Sequence, residues 1–411
     1  MFDGLFEKLY EMTAVGAFVE NPGYLLMLLI SFVLLYLGIV KKYEPLLLIP
    51  IGFGVLLANL PGADLGIVSG DKIELGLDEN GRMMYMNLFE IAHEYGILNF
   101  LYYALIKTGL LPPLIFMGVG AMTDFGPMLR NLKLALFGGA AQFGIFAVLL
   151  IAMASGAFTI KEAASLAIIG GADGPTAIFT TIKLAPQLLG PIAIAAYSYM
   201  ALVPVIIPLV VKLTCSEKEL KINMKQQDKL FPPSYTIKNM RAVKIIFPIV
   251  LGTVVIILVP SAGPLLGMLL LGNLLKEIGS DTQRLTTAAT DYIMNPATII
   301  LGLCVGATMT ADVFLNLKTI GIVVGGFFAF ALSIASGVML VKLFNLFAKK
   351  KINPLCGATG LSAVPMASRV ANEISTKYDP QNHVLQYCMS SNVSGVIGSA
   401  VAAGVLITFL G

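Results

Sequence analysis

Residues 161–184 read KEAASLAIIGGADGPTAIFTTIKL. Both flanks are apolar, yet no helix runs undisturbed through Gly170-Gly171-Ala172-Asp173-Gly174-Pro175. Glycine loosens the backbone, and Pro175 lacks an amide hydrogen and clashes with the preceding turn. Each flank, at about ten residues, makes about 15 Å of helix, enough for half a bilayer. A second stretch, NPLCGATGLSAVPMASRVAN at 353–372, is broken in the same way. The stretches 160–184 and 353–372 therefore read as re-entrant hairpins, or broken helices, with tips near the membrane midplane. Non-helical backbone survives at that depth only where it is buried in protein or lines a wet cavity. That points to transport.

The rest of the chain supplies the membrane part. At 411 residues, length alone suggests two or three soluble domains, but 57% hydrophobic and 12% charged residues cancel that reading. Of the 51 charged side chains, 25 fall in three stretches of 90 residues together: 1–20, 61–97 and 212–244. The remaining 321 residues share 26 charges, too few to cover a water-exposed surface. Ten apolar runs are long enough, or nearly so, to cross a bilayer. They fall at 24–40, 45–60, 98–121, 132–155, 187–212, 243–259, 261–276, 285–306, 318–346 and 384–410. Four cysteines without CxxC spacing and only two histidines give no zinc or haem signature. A net charge of +3 gives no footprint for nucleic acid, and no P-loop, dinucleotide fingerprint or nucleophilic triad is visible.

The chain also repeats itself. Val119-Gly120-Ala121 recurs as Val305-Gly306-Ala307, and Gly171-Ala172, Gly174 and Ala177 recur as Gly357-Ala358, Gly360 and Ala363, all at an offset of 186. Pro45-Leu46-Leu47 recurs as Pro264-Leu265-Leu266 at an offset of 219 and Gly54 as Gly272 at 218, the surplus being the polar insert near 61–92. Each repeat then holds five crossings and a hairpin, and an odd number of crossings inverts the second repeat relative to the first. The expected fold is an all-α polytopic membrane protein, about ten transmembrane helices plus two re-entrant hairpins in two inverted repeats. Its parts are a surface segment 1–20, a first repeat 21–212, a loop 213–241 and a second repeat 242–411. With hairpins that do not cross, Lys41-Lys42, Arg130/Lys133, the 212–244 loop, Lys276/Arg284 and Lys349-Lys350-Lys351 share one side, the cytoplasm by the positive-inside rule. Lys318 is the exception. Inverted repeats with broken elements meeting at a central site are the build of secondary transporters.

An ionisable residue at the membrane centre costs about 2.5–3.5 kcal/mol on insertion scales, so each one needs a reason. Asp173 lies at the first tip, beside backbone freed by Gly171, Gly174 and Pro175; carboxylate and free carbonyls together suit a hard cation such as Na⁺, or a proton. Capping of the second half-helix by Asp173 is compatible with that role. Arg369 lies on the far arm of the second hairpin, seven residues after Ser362 and on the same face if that arm is helical. It can pair with Asp173, bind an anionic carboxylate, or snorkel to the surface. Asn353, opening that hairpin, and Asn392 in the last span offer neutral oxygens, as ligands or as interhelical hydrogen bonds. Tyr199 is a mid-span tyrosine placed to exchange a proton with a buried group.

At Gly170–Thr176, 353–370 and Asn392-Val393-Ser394-Gly395-Val396-Ile397-Gly398-Ser399-Ala400, the sequence resembles the β subunit of the sodium-pumping, biotin-dependent decarboxylases. The resemblance runs from about residue 20 to the C-terminus. It implies a subunit of a bacterial or archaeal cytoplasmic membrane that decarboxylates carboxybiotin, consumes a proton and exports Na⁺. It implies as partners a cytoplasmic carboxyltransferase (α) subunit, a biotin carrier and a small γ/δ membrane subunit, with a homo-oligomeric β subunit. By position it implies Asp173, Asn392, Ser362 and Asn353 as Na⁺ residues and Gly357 with the glycines of the first tip as hairpin geometry. Arg369, Tyr199 and Asp173 are implied in the reaction, and Arg369 with Asn353 on the carboxybiotin side. The rival reading from physics alone is a Na⁺/H⁺ antiporter or Na⁺–carboxylate symporter of the same architecture.

Overall fold

The computed structural model describes residue 13 and residues 15–42, 45–68, 70–77, 83–232, 237–363 and 366–411. Most of the expected 1–20 surface segment lies outside the described residues; Val15–Glu20 is a short helix. Among the described residues the fold is helical throughout except for one antiparallel pair, Glu74–Leu77 with Met83–Tyr85, in the polar insert. All ten apolar runs are helical. Among the described residues, five helices are long and apolar enough to span a bilayer, Leu132–Ala154, Met240–Leu258, Ser280–Ala307, Leu317–Phe347 and Leu385–Leu410, or up to seven if each of two bent helix pairs is one span. Their surface is that of a lipid-embedded protein: Phe143 is 70%, Leu150 66% and Ile257 74% exposed, apolar area that water would not tolerate.

Two of the ten runs are not single helices. The run 98–121 breaks between Leu88–Ile106 and Leu111–Met122, where Gly109 takes a φ of +77°, a backbone that favours glycine. The run 187–212 breaks at Leu202, between Leu189–Ala201 and Val203–Thr214, with Pro204 in the first turn of the second piece. Proline there needs no amide partner and is readily accepted. Average hydropathy registers neither break, because the apolar residues on both sides outweigh the few polar ones at it, Lys107 and Thr108 in the first.

The chain packs as two compact units, each drawing on both halves of the sequence. One comprises the described residues up to Leu111 with Leu189–Ile194 and Pro296–Gly321; the other comprises Pro112–Leu188, Ala195–Asn295 and Ile322–Gly411. Each unit contains a close helix crossing built on glycines that match each other in sequence, Gly54 with Gly272 and Gly120 with Gly306. In the first unit Gly54 sits on the Leu303 carbonyl and Gly306 on the Ile51 carbonyl. In the second, Gly120 sits on the Leu269 carbonyl and Gly272 on that of Met117. A Cβ at any of the four would collide with backbone, so only glycine lets the helices approach this far.

The second unit also holds both broken elements. Helix Leu132–Ala154 packs along Leu385–Leu410, with Gly138 against Ser394 and the Ser394 hydroxyl donating to the Ala135 carbonyl at 2.7 Å. The two hairpins lie against this pair. Gly171 contacts Ile145, and Gly360 contacts the Phe137 carbonyl and Ala141. One helix thus supports both tips.

Candidate functional site

The first hairpin is two half-helices with a turn between them. Ile160–Ala167 begins at Thr159, which forms a reciprocal capping box with Glu162. A tight turn at Ile168–Gly170 ends it, and Gly174–Leu184 begins again at Asp173. Asp173 is the N-cap: its Oδ1 accepts from the Thr176 amide at 2.9 Å, which places a carboxylate at the positive end of a half-helix. Gly174 lies against the ring of Tyr197, a contact that leaves no room for a side chain.

The second Asp173 oxygen, Oδ2, accepts from the Ser362 hydroxyl at 3.0 Å. The Ser362 amide donates to the Gly171 carbonyl at 3.1 Å, so the two tips are joined through side chain and backbone. Ser399 of the last span donates to the Ser362 hydroxyl oxygen at 3.3 Å. Asn392, about two turns earlier on that span, holds the second hairpin on both sides of its turn. Its Nδ2 donates to the Leu361 carbonyl, and its Oδ1 accepts from the Ser368 hydroxyl at 3.3 Å. Asp173 is 7% exposed, Ser362 5%, and Ser399 and Asn392 fully buried. A carboxylate among neutral oxygens, sealed from water, has the chemistry to take a small hard cation or a proton.

The other expected residues lie elsewhere. Asn353 opens the second hairpin; its Nδ2 donates to the Leu220 carbonyl at 2.8 Å and the Ile222 carbonyl at 3.1 Å, and its Oδ1 accepts from the Leu355 amide. Its amide fastens the loop after residue 212 to the hairpin, and no contact joins it to Asp173 among the described residues. Tyr199 is buried, with its hydroxyl on the Val323 carbonyl and its ring edge-on to Phe327, 6.1 Å between centroids. Gly326 gives that ring its space. Arg369 is exposed on the helix Met366–Tyr378, in a row with Glu373 and Lys377 at four-residue spacing. Gly357 lies on the Gly337 carbonyl of the long helix Leu317–Phe347, where any side chain would collide.

Two of the basic clusters and part of the 212–244 loop gather around one cavity of about 580 Å³. Arg130, Lys133 and Lys350 line it with Asp228, Phe344 and Tyr387. Lys350 and the Tyr387 hydroxyl both bond the Asp228 carboxylate. Ile352 and Met224 also line the cavity, and the Asn353 amide donates to the Met224 sulfur, so the cavity adjoins the base of the second hairpin. Nearby in the sequence pattern, Lys244 pairs with Asp124 at 2.6 Å and Glu277 at 3.4 Å. Burial alone would raise the Asp124 carboxyl, but the hydrogen bonds from Lys244 and the Gly126 amide outweigh it and hold it below the usual carboxylate range.

One group at the tips went unread in the sequence. Gln142, on Leu132–Ala154, is 7% exposed, and its Oε1 is buried without a hydrogen-bond partner. Leaving such an oxygen unpaired costs about 1–3 kcal/mol. The signal available was a lone amide in the apolar run 132–155, which reads equally as a bond between helices.

A family profile described as the Na⁺-transporting oxaloacetate decarboxylase beta subunit matches residues 23–410. The methylmalonyl-CoA decarboxylase subunit beta of Propionigenium modestum is 48% identical over 97% of this chain and 98% of its own. The oxaloacetate decarboxylase beta chain 2 of Salmonella typhi is 45% identical over 97% and 98%, and the beta chain of Klebsiella pneumoniae 44% over 96% and 97%. The chain belongs to this family of Na⁺-transporting decarboxylase beta subunits, the membrane subunits of decarboxylase sodium pumps.

Proposed function

We propose that Na⁺ is carried at the junction of the two hairpin tips and that its export is coupled to loss of CO₂ from carboxybiotin. The observation that carries this reading is the pair of bonds between the tips, Ser362 Oγ to Asp173 Oδ2 at 3.0 Å and Ser362 N to Gly171 O at 3.1 Å. They bring a carboxylate from one hairpin and a serine hydroxyl from the other into one buried junction. Asp173, Ser362 and Asn392 form the ion site in this reading, with Asn392 fixing the second turn. Asn353 acts at a distance, by anchoring the hairpin base to the 213–241 loop.

Carboxybiotin is brought by a biotin carrier from a cytoplasmic carboxyltransferase subunit, and a small membrane subunit completes the assembly. The reaction balances as N-carboxybiotin anion plus a proton giving biotin and CO₂: the N–CO₂ bond breaks, its electron pair stays on nitrogen, and the proton ends there. Arg369 serves the anionic carboxylate and Tyr199 the proton. A charged row Arg369/Glu373/Lys377 cannot face lipid, which supports water along that arm. Convergence of Arg130, Lys133 and Lys350 on one cavity supports the topology in which the second hairpin enters from the cytoplasm and the first from outside. Each Na⁺ moved against 100 mV requires about 2.3 kcal/mol, which decarboxylation supplies.

The test is Na⁺-dependent CO₂ release from free carboxybiotin by the purified holoenzyme. Asp173→Asn should remove the Na⁺ stimulation, a loss of more than about 100-fold, since the only anionic ligand disappears while the shape remains. A full Na⁺ response in that variant sinks the site. Sodium movement without any carboxybiotin cleavage would favour a plain exchanger.

A further inference from the structure

Gln142 supplies what the sequence motifs leave out. Its Nε2 donates to the Gly138 carbonyl at 3.3 Å and to the Gly395 carbonyl at 3.4 Å. Both partners are acceptors, so the nitrogen belongs on that side and the oxygen on the other. Oε1 then faces the first hairpin. A Cβ on Gly171 would stand 3.0 Å from it, and one on Gly398 would stand 3.1 Å from Gln142 Cγ. These two glycines belong to the segments that carry the site: Gly171 precedes Asp173 by two residues and bonds Ser362 through its carbonyl, and Gly398 adjoins Ser399. The amide is more than nine-tenths buried, its nitrogen is committed, and its oxygen has no donor.

Two guests could come to Asp173, and they need different surroundings. A proton binds to the carboxylate alone. A metal cation stripped of water needs several oxygens to replace its shell, neutral ones included. An uncommitted amide oxygen beside the tip serves only the second. We propose that Gln142 Oε1 is a neutral ligand of the transported Na⁺ and the residue that sets the site's preference for Na⁺ over protons. This rests on the hairpin-tip reading above.

The experiment uses the assembled decarboxylase, titrated with NaCl at several pH values, with CO₂ release and the Na⁺-induced rise in thermal midpoint as separate readouts. Gln142→Met keeps the length of the side chain and removes the oxygen. It should raise the half-saturating Na⁺ about tenfold or more in both readouts, affecting half-saturation more than turnover, and should make protons stronger competitors. Gln142→Glu keeps an oxygen in place; it should retain Na⁺ binding, with a half-saturation that depends on pH more steeply than in the wild type. A wild-type half-saturation in Gln142→Met, or a wild-type pH dependence in Gln142→Glu, overturns the proposal. Asp173→Asn separates the two readings. If it loses the Na⁺ response while Gln142→Met keeps it, only the role of Gln142 falls. If Asp173→Asn keeps the response, the hairpin-tip site itself falls.

Discussion

The two hairpins share matched glycines and alanines, Gly171-Ala172, Gly174 and Ala177 with Gly357-Ala358, Gly360 and Ala363, yet have opposite surfaces. Residues 162–182 of the first are buried without exception, and the charged groups among them are Glu162, spent on its cap, and Asp173. The second is buried from Ile352 to Ala363 but then presents Arg369, Glu373 and Lys377 on one face of its far arm. Residues matched in sequence thus serve different tasks. The sealed hairpin holds the buried carboxylate of Asp173 at the tips, and the open one carries its exposed charges on the far arm. The matched glycines make this division workable. Gly171 and Gly357 let each turn press on a neighbouring helix, while the residues around them are free to diverge.

The sealed hairpin should break most easily. Gly174→Ala forces a methyl into the Tyr197 ring, and Tyr197 is only 1% exposed and has no space to yield. Overpacking of this kind costs about 1–3 kcal/mol or more, so the variant should show a lower thermal midpoint and poor yield of assembled protein. Normal stability would mean the first tip is looser than its burial indicates.

The open arm should behave differently. Arg369→Gln should leave the thermal midpoint nearly unmoved, within the roughly 0.5 kcal/mol usual for a surface change. It should raise the carboxybiotin concentration for half-maximal rate about tenfold, a loss of about 1.4 kcal/mol, while half-saturating Na⁺ stays put. If Na⁺ dependence shifts instead, the two hairpins do not divide ion from substrate.

The smallest effect concerns the anchor of the second hairpin. Lys342 pairs with Glu219 at 3.2 Å, on the short helix whose Leu220 carbonyl holds Asn353. Burial pushes the Glu219 carboxyl up, but the Ser216 amide and hydroxyl and Lys342 together hold it below its ordinary 4.5. A lowered folded value stabilises the protein above the unfolded value, and that contribution disappears as pH falls through the folded one. Lys342→Gln should therefore cost about 1 kcal/mol or less at pH 7. The gap to wild type should shrink once the pH drops below 4.5. An unchanging gap would assign Lys342 to packing alone.

Much of this fold was legible in the sequence because bilayers leave few choices. Ten apolar runs became helices, and GGADGP at 170–175 could not be one straight helix. The repeat offsets marked the glycines that later proved to touch backbone. What stayed hidden depends on partners distant in sequence. Asn353 finds its carbonyls at Leu220 and Ile222 across a loop, and no local pattern encodes that. Gln142 is a single amide in an apolar helix, and only its neighbours reveal that its oxygen is unclaimed. The breaks at Gly109 and Leu202 escaped for a different reason, since hydropathy measures what a segment is made of and not whether it is straight.

The paired glycine crossings carry one more consequence. Gly54 meets Gly306 and Gly120 meets Gly272, so each crossing takes one helix from each half of the chain. Neither half could close such a crossing by itself. Each compact unit therefore forms only once both halves of the chain are present.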